Sequence, residues 1–360
     1  MNRDAFRKWT VLSVLLAAMA VLGACGGNDD GDAPVAGGGE PIGGAPAGDG
    51  GAPGGGGVTA GLQRADFRVN ASTQGRQEAA RIARLSDGEF VAVWAHPAAV
   101  GPGELRMRRL DKHGALAGAE TLVAASGSLP DVAALADGGF VVTWTDWRTI
   151  ADRQGHLQAF NADGSRRSGI VTLAGGPFTS YVARAVGLAD GRFVVASSAL
   201  AGRQGTDIGT VQLFSREGLV VAQPVVVNTN PADNRTHVLG IVAAPPEAGF
   251  AAAWTASSPT GSGLRLGLFG QDGRPTSFVT VDAGPAEKRT PALARLANGN
   301  LVIAWAAFDS GVSGSTQTLW VERLDRDGRS LGRQAVPTGP VGPPFRPGVA
   351  APGNRGLGGA

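Results

Sequence analysis

Side chains able to do acid–base or metal chemistry are sparse in these 360 residues, and their spacing limits what they could do. The four histidines, His96, His113, His156 and His237, show no metal-ligand spacing, and the single cysteine, Cys25, excludes a disulfide framework or a thiolate cluster. Asp87, Asp137 and Asp190 each precede a glycine between apolar runs, where an aspartate caps its own turn rather than pairing for catalysis. Asp325-Arg326-Asp327-Gly328 matches the start of a calcium loop but lacks the later acceptors. No Gly-x-Ser-x-Gly elbow, Ser–His–Asp order or phosphate-cradling Gly-x-x-x-x-Gly-Lys-Ser/Thr occurs. The expectation is therefore no catalytic residue, no metal and no cofactor. The cluster best suited to binding is Asp146, Trp147 and Arg148, with Asp152 and Arg153 close behind, because a Trp–Arg pair is a common interface anchor.

The elements that must position this cluster are repeats. Leu85-Ser86-Asp87-Gly88-Glu89-Phe90 leads to Trp94, and Leu135-Ala136-Asp137-Gly138-Gly139-Phe140 leads to Trp144. Leu188-Ala189-Asp190-Gly191-Arg192-Phe193 leads to Ser197, Glu247-Ala248-Gly249-Phe250 to Trp254, and Leu296-Ala297-Asn298-Gly299-Asn300-Leu301 to Trp305. The anchors at 90, 140, 193, 250 and 301 are 50, 53, 57 and 51 residues apart. A second turn follows in every copy, for example Leu110-Asp111-Lys112-His113-Gly114 and Leu324-Asp325-Arg326-Asp327-Gly328. Asp-Gly and Asn-Gly between apolar runs mark hairpins, so each unit holds two hairpins, or four short strands. In the second unit these fall at 130–136, 140–147, 155–162 and 166–174. No stretch between 61 and 340 sustains helical periodicity.

Four strands per unit at a period near 50 predict an all-β chain folded as a five-bladed β-propeller with four-stranded blades. Six segments read as outer strands where five are needed, so either Phe67–Asn70 or the last copy, Gln334-Ala335-Val336, closes the ring. The units resemble a repeat of bacterial secreted and surface proteins that runs Leu-x-Asp-Gly-Gly-Phe-Val-Val-x-Trp, then Asp-x-x-Gly, then Val-Asn-Thr. That resemblance covers residues 65 to 340 and implies a propeller-like, non-catalytic module whose motifs are turns and wedges. In a propeller the second-to-third-strand loops share a face, and here they are expected to be long: 94–104, 145–155, 197–207, 255–263 and 306–318. Asp146, Trp147, Arg148, Tyr181 and His237 form the candidate binding face, with Arg235, Lys288, Arg289 and Asp309 approaching it.

The first 24 residues read as a signal peptide. Arg3, Arg7 and Lys8 precede an apolar run of 13 residues, Thr10 to Leu22, too short to span a bilayer. Leu22-Gly23-Ala24-Cys25 resembles the lipobox of bacterial lipoproteins. The resemblance implies cleavage before Cys25, its lipidation with diacylglycerol and an N-acyl chain such as palmitate, and durable anchoring by several chains. Gly26, in place of the Asp that retains such proteins at the inner membrane, favours the outer membrane. From Cys25 to residue 60 runs a Gly/Pro-rich linker with a reach of about 30–35 Å. The domain occupies 61–338, and 339–360 is a disordered Gly/Pro-rich tail.

Charge adds little. Of the formal net charge of +2, all lies in the signal, and 29 basic residues then balance 29 acidic ones, which argues against a nucleic-acid partner. The reading is a membrane-anchored envelope lipoprotein displaying a non-catalytic binding or assembly module, not an enzyme, with an envelope protein or glycan as ligand. The alternative is a glycoside-active propeller enzyme of the envelope. It is disfavoured because the inner strands, 80–85, 132–136 and 291–296, carry almost no acids to form the carboxylate pair that reaction needs.

Overall fold

Alternating apolar residues bounded by Asp-Gly turns leave the chain one option, antiparallel hairpins, and the computed structural model is built of nothing else. It describes residues 67–71, 77–96, 103–149, 152–173, 180–201, 206–227, 235–243, 249–258, 261–311 and 314–336. The signal, Cys25, the linker to residue 60 and the tail from 339 lie outside the described residues, among which there is no helix.

Five units follow one another. Unit 1 comprises β1 (Glu78–Arg84), β2 (Phe90–His96), β3 (Gly103–Leu110) and the first part of β4 (Leu116–Ala134). The second part of β4, from Ser128, pairs instead with β5 (Phe140–Thr149) and opens unit 2, which continues through β6 (Asp152–Phe160) and β7 (Val171–Thr172). These seven strands form one sheet through the shared β4. Unit 3 is β8 (Ser180–Gly187), β9 (Phe193–Ala201), β10 (Thr206–Phe214) and β11 (Val225–Val226). Unit 4 is β12 (Arg235–Ala243), β13 (Phe250–Ser258), β14 (Gly261–Phe269) and β15 (Pro275–Asp282). Unit 5 is β16 (Glu287–Arg295), β17 (Leu301–Gly311), β18 (Gly314–Leu324) and β19 (Ser330–Val336). Units 3, 4 and 5 are each a four-stranded sheet. The first strands touch from one unit to the next, β1 with β4, β4 with β8, β8 with β12 and β12 with β16, so they line the inner side of a β-propeller-like fold.

The turns are what the Asp-Gly pattern requires. Gly88 and Gly328 adopt φ of 89° and 82°, a region closed to most residues. Asp87, Asp137 and Asp190 each accept a hydrogen bond from the backbone N–H two residues on. Asp325 accepts two, from Asp327 N–H at 2.9 Å and Arg329 N–H at 2.8 Å, so its carboxylate is committed to the turn. Asp325→Ala is expected to cost about 1 kcal/mol in urea unfolding without changing the fold, since each such bond nets roughly 0.5–1.5 kcal/mol.

Between units the core is made by wedges. Val91, Val93, Leu105 and Met107 of unit 1 meet Val132, Phe140, Val142 and Trp144 of unit 2. The same pattern joins units 2 and 3, 3 and 4, and 4 and 5. Within units, Phe140 stacks on Phe160 (5.0 Å between centroids), Phe193 on Phe214 (5.3 Å) and Phe250 on Phe269 (4.6 Å).

Two expectations are corrected here and one alternative left open is decided. Four of the long second-to-third-strand loops are instead hairpins whose strands run almost to the tip: Trp147 pairs with Arg153, Ala201 with Thr206, Ser258 with Gly261 and Gly311 with Gly314. The residues there are polar but still alternate, so the ladder continues beyond the apolar core. The predicted strand 166–174 shrinks to Val171–Thr172, because Ser168 Oγ takes the Ala159 N–H at 2.9 Å that a ladder carbonyl would have accepted. Finally, β19 pairs with β18 and completes unit 5, whereas residues 67–70 form no strand.

Candidate functional site

Each first strand carries a bulge near its start, between Glu78 and Arg81, Ser128 and Asp131, Ser180 and Val182, Val238 and Gly240, and Arg289 and Ala292. Three of these bulges hold non-glycine residues at positive φ, Ala79 (53°), Leu129 (50°) and Thr290 (49°). Such strain persists only where surrounding packing enforces it, and bulges of this kind re-aim neighbouring side chains. Register with the second strands then defines two steps along the inner side. Arg81, Asp131, Arg184, Gly240 and Ala292 occupy one step, opposite the third residue after each anchor. Glu78, Ser128, Val182, His237 and Arg289 occupy the neighbouring step toward the strand start, opposite the fifth; in every unit but the third the bulge falls between the two steps.

The first of these steps brings chemistry together. Asp131 Oδ1 lies 3.7 Å from Arg81 Nε of unit 1 and 3.6 Å from Arg184 Nη1 of unit 3. Its Oδ2 accepts the Ala185 N–H at 3.1 Å. One carboxyl thus touches three successive units. Its side chain is 13% exposed. Burial pushes the Asp131 carboxyl above the usual carboxylate range, and the two guanidinium groups and the amide only partly offset that. A carboxyl whose pKa burial raises, set beside two guanidinium groups, has what a general acid needs: a proton to give and cations to stabilise the anion left behind.

Asp131 lies within the strand expected at 130–136, but the acids of the inner strands are counted only over 132–136, so it goes uncounted. Which of its neighbours it meets across units is a tertiary fact that the sequence does not encode. The signal available was Leu129-Pro130-Asp131 beside Thr290-Pro291-Ala292, the same bulge in two units with an acid in only one.

The expected binding face is distributed differently. Asp146 and the backbones of Trp147 and Arg148 lie in β5, Tyr181 in β8 and His237 in β12; of these side chains only that of Asp146 is described. Asp146 accepts a hydrogen bond from Ser126 Oγ. Lys288 does not approach an open face. It is buried, donates from Nζ to the carbonyls of Ser262 (3.0 Å) and Gly284, and lies 3.7 Å from Asp282. Burial lowers its pKa.

His156 packs beside Trp144 (5.7 Å between rings) on the same hairpin as Asp146. Burial pushes its imidazole below the usual 6.5, and Asp146 opposes this in part. An unfolded chain would take up that proton near pH 6.5 while the folded one resists it, so stability falls as pH drops through 6.5. We expect Tm to decline from about pH 7.5 to about pH 5 and His156→Gln to flatten part of that slope.

No family model matches the chain, and no curated protein does. Among solved structures it is similar to an unknown-function protein from Dyadobacter fermentans DSM 18053, at 12% identity and a TM-score of 0.50, covering 73% of this chain and 83% of that one. It is also similar to an alpha-L-arabinofuranosidase from Lactobacillus brevis, at 10% identity and a TM-score of 0.41, covering 71% of this chain and 94% of that one. An endo-arabinase from Bacteroides thetaiotaomicron VPI-5482 is similar at 8% identity and a TM-score of 0.39, covering 67% and 92%. At these identities the likeness is one of fold. Even so, the expectations of a non-catalytic module and of a chain that is not an enzyme are corrected. The ground for disfavouring an enzyme, inner strands without acids, fails at Asp131.

Proposed function

We propose that this chain is a glycoside-active enzyme of the bacterial cell envelope, a five-bladed propeller held to the outer membrane by lipid on Cys25. The observation that carries the reading is the Asp131 carboxyl, set on the inner strands between Arg81 and Arg184, with burial pushing its pKa above the usual carboxylate range. Asp131 gives its proton to the glycosidic oxygen as the bond to the anomeric carbon breaks, and the two guanidinium groups stabilise the carboxylate that remains. Glu78, on the neighbouring register step of unit 1, is the second carboxylate, acting on water or on the anomeric carbon. Asp146, Trp147, Arg148, Tyr181 and His237, on β5, β8 and β12, remain the residues proposed to take the rest of the glycan. The arabinan-directed titles of similar structures make arabinose-containing polymers the first substrates to try.

The test is release of reducing ends from a panel of neutral and uronate-bearing plant and envelope polysaccharides. Cleavage by the wild type that is lost in Asp131→Asn and in Glu78→Gln supports the reading; a panel without any cleavage, or undiminished variants, overturns it. The anchor is tested separately. Cys25→Ser should move the protein from the membrane fraction to the soluble one, and mass spectrometry of the N-terminal peptide should find acyl chains on Cys25.

A further inference from the structure

Charge is unevenly spread over the fold. The five first strands, β1, β4 from Ser128, β8, β12 and β16, carry seven Lys and Arg against three Asp and Glu. Taken out of the chain's 32 and 30, they leave 25 basic residues against 27 acidic ones, so the basic excess belongs to the inner strands. Lys288 is committed to buried carbonyls, but arginines stand on three register steps. Arg84 and Arg295 lie opposite the anchors Phe90 and Leu301, Arg81 and Arg184 lie three residues on beside Asp131, and Arg289 lies five residues on, at the step of Glu78. These steps extend about 17 Å along strands that rise roughly 3.3 Å per residue, the length of a few sugar rings. A concave site lined by one sign of charge concentrates ligands of the other.

Arg289 is arranged to meet an anion. Its Nε and Nη2 donate to Oε1 and Oε2 of Glu287 at 2.9 and 2.7 Å, and the guanidinium lies over the Phe308 ring, 4.5 Å from its centroid. The two-point pair and the stacking fix the guanidinium plane, while its Nη1 end keeps donors turned away from Glu287. The side chain is 48% exposed, so a ligand can reach it.

We propose that the inner side takes an acidic glycan, and that Arg289 binds the carboxylate of one of its uronate rings. This rests on the glycoside-active reading and names its substrate class, whether or not the polymer also contains arabinose. A planar carboxylate matches the open end of a fixed guanidinium with two parallel N–H···O bonds. A neutral glycan would leave the arginines without a counter-charge. A nucleic acid would bring a phosphate on every residue and is held by broad basic surfaces, whereas here the arginines are spaced along the strands and the remainder of the chain has no basic excess.

The experiment is biolayer interferometry of the whole chain on immobilised polygalacturonate and hyaluronan, each in its native form and after reduction of its carboxylates to primary alcohols, with neutral arabinan and poly(U) alongside. At least one native uronate polymer should be bound roughly 10-fold more tightly than its reduced form, as a charge-assisted pair provides, and the difference should shrink as salt is raised. Arg289→Gln should bring that ratio most of the way to one. Arg289→Lys keeps the charge without the fork and should fall between, which shows that the loss is not one of folding. Equal binding of native and reduced polymers, a preference that Arg289→Gln does not move, or poly(U) held as tightly as the uronate polymers overturns the proposal. Release of reducing ends from the same polymers separates it from the reading it rests on. Asp131-dependent cleavage of arabinan without an acidic preference overturns the inference and leaves the enzyme. An acidic preference that depends on Arg289 but comes without cleavage of any polymer leaves the binding site and overturns the enzyme.

Discussion

Phe140→Ala should remove about 3–5 kcal/mol of unfolding free energy, a large share of what a domain of this size has. The ring is fully buried, stacks on Phe160 at 5.0 Å with a 6° tilt, and belongs to the cluster that joins units 1 and 2. Removing it therefore opens a cavity and strands a second aromatic. Phe90 holds the equivalent place in unit 1, but it pairs with Leu110 rather than a phenylalanine and is only half-buried. Phe90→Ala should cost no more than about half as much, in proportion to the area each side chain buries. Urea unfolding of both variants measures the difference. Equal losses would mean that Phe90 is packed as fully as Phe140.

The same pair of residues shows what could be read in advance. The repeat period, the turn chemistry and the aromatic anchors are local, so the four-strand unit and its capping aspartates were legible from residues alone. Gly249 illustrates the limit of that reading. It stands one residue before Phe250, whereas Gly88, Gly138, Gly191 and Gly299 stand two before their anchors, so its φ of 77° marks a turn that departs from the repeat.

What was not legible depends on register. Asp146 and Trp147 were assigned to a long loop because polar residues followed the core strand, but hairpin pairing continues to Thr149 opposite Asp152. Lys288 was placed on an open face by its neighbours in sequence. Burial among carbonyls of units 4 and 5 is a tertiary fact that no local pattern encodes. Asp131, which directly follows the bulge after Ser128, meets Arg81 and Arg184 of the two neighbouring units, and those partners too are set by tertiary packing. The sites that matter for chemistry are those where a bulge breaks the period on which sequence reading relies.

Asp131→Asn separates the chemistry from the scaffold. Asparagine keeps the shape and can still accept the Ala185 N–H through its side-chain oxygen, but it has no proton of comparable acidity to give. Because burial outweighs the two guanidinium groups in setting the Asp131 pKa, ionising this carboxyl costs stability in the folded protein. The sign follows: the folded pKa is raised, so the contribution of Asp131 to stability is largest in acid and is lost as pH rises through the folded value. Asparagine removes that pH dependence. Arg81 and Arg184 remain partly solvated at 35% and 17% exposure, so losing their counter-ion should change stability by only about 1 kcal/mol at neutral pH. Activity should respond on another scale, falling roughly 10²- to 10⁴-fold, as removal of a general acid does. In the wild type kcat/KM should decline on the basic side of a pKa above the ordinary carboxyl value, where Asp131 loses its proton, and the residual rate of the variant should lack that limb. A variant that unfolds as readily as Phe140→Ala would make Asp131 a tie between units 1, 2 and 3 instead, with no part in proton transfer.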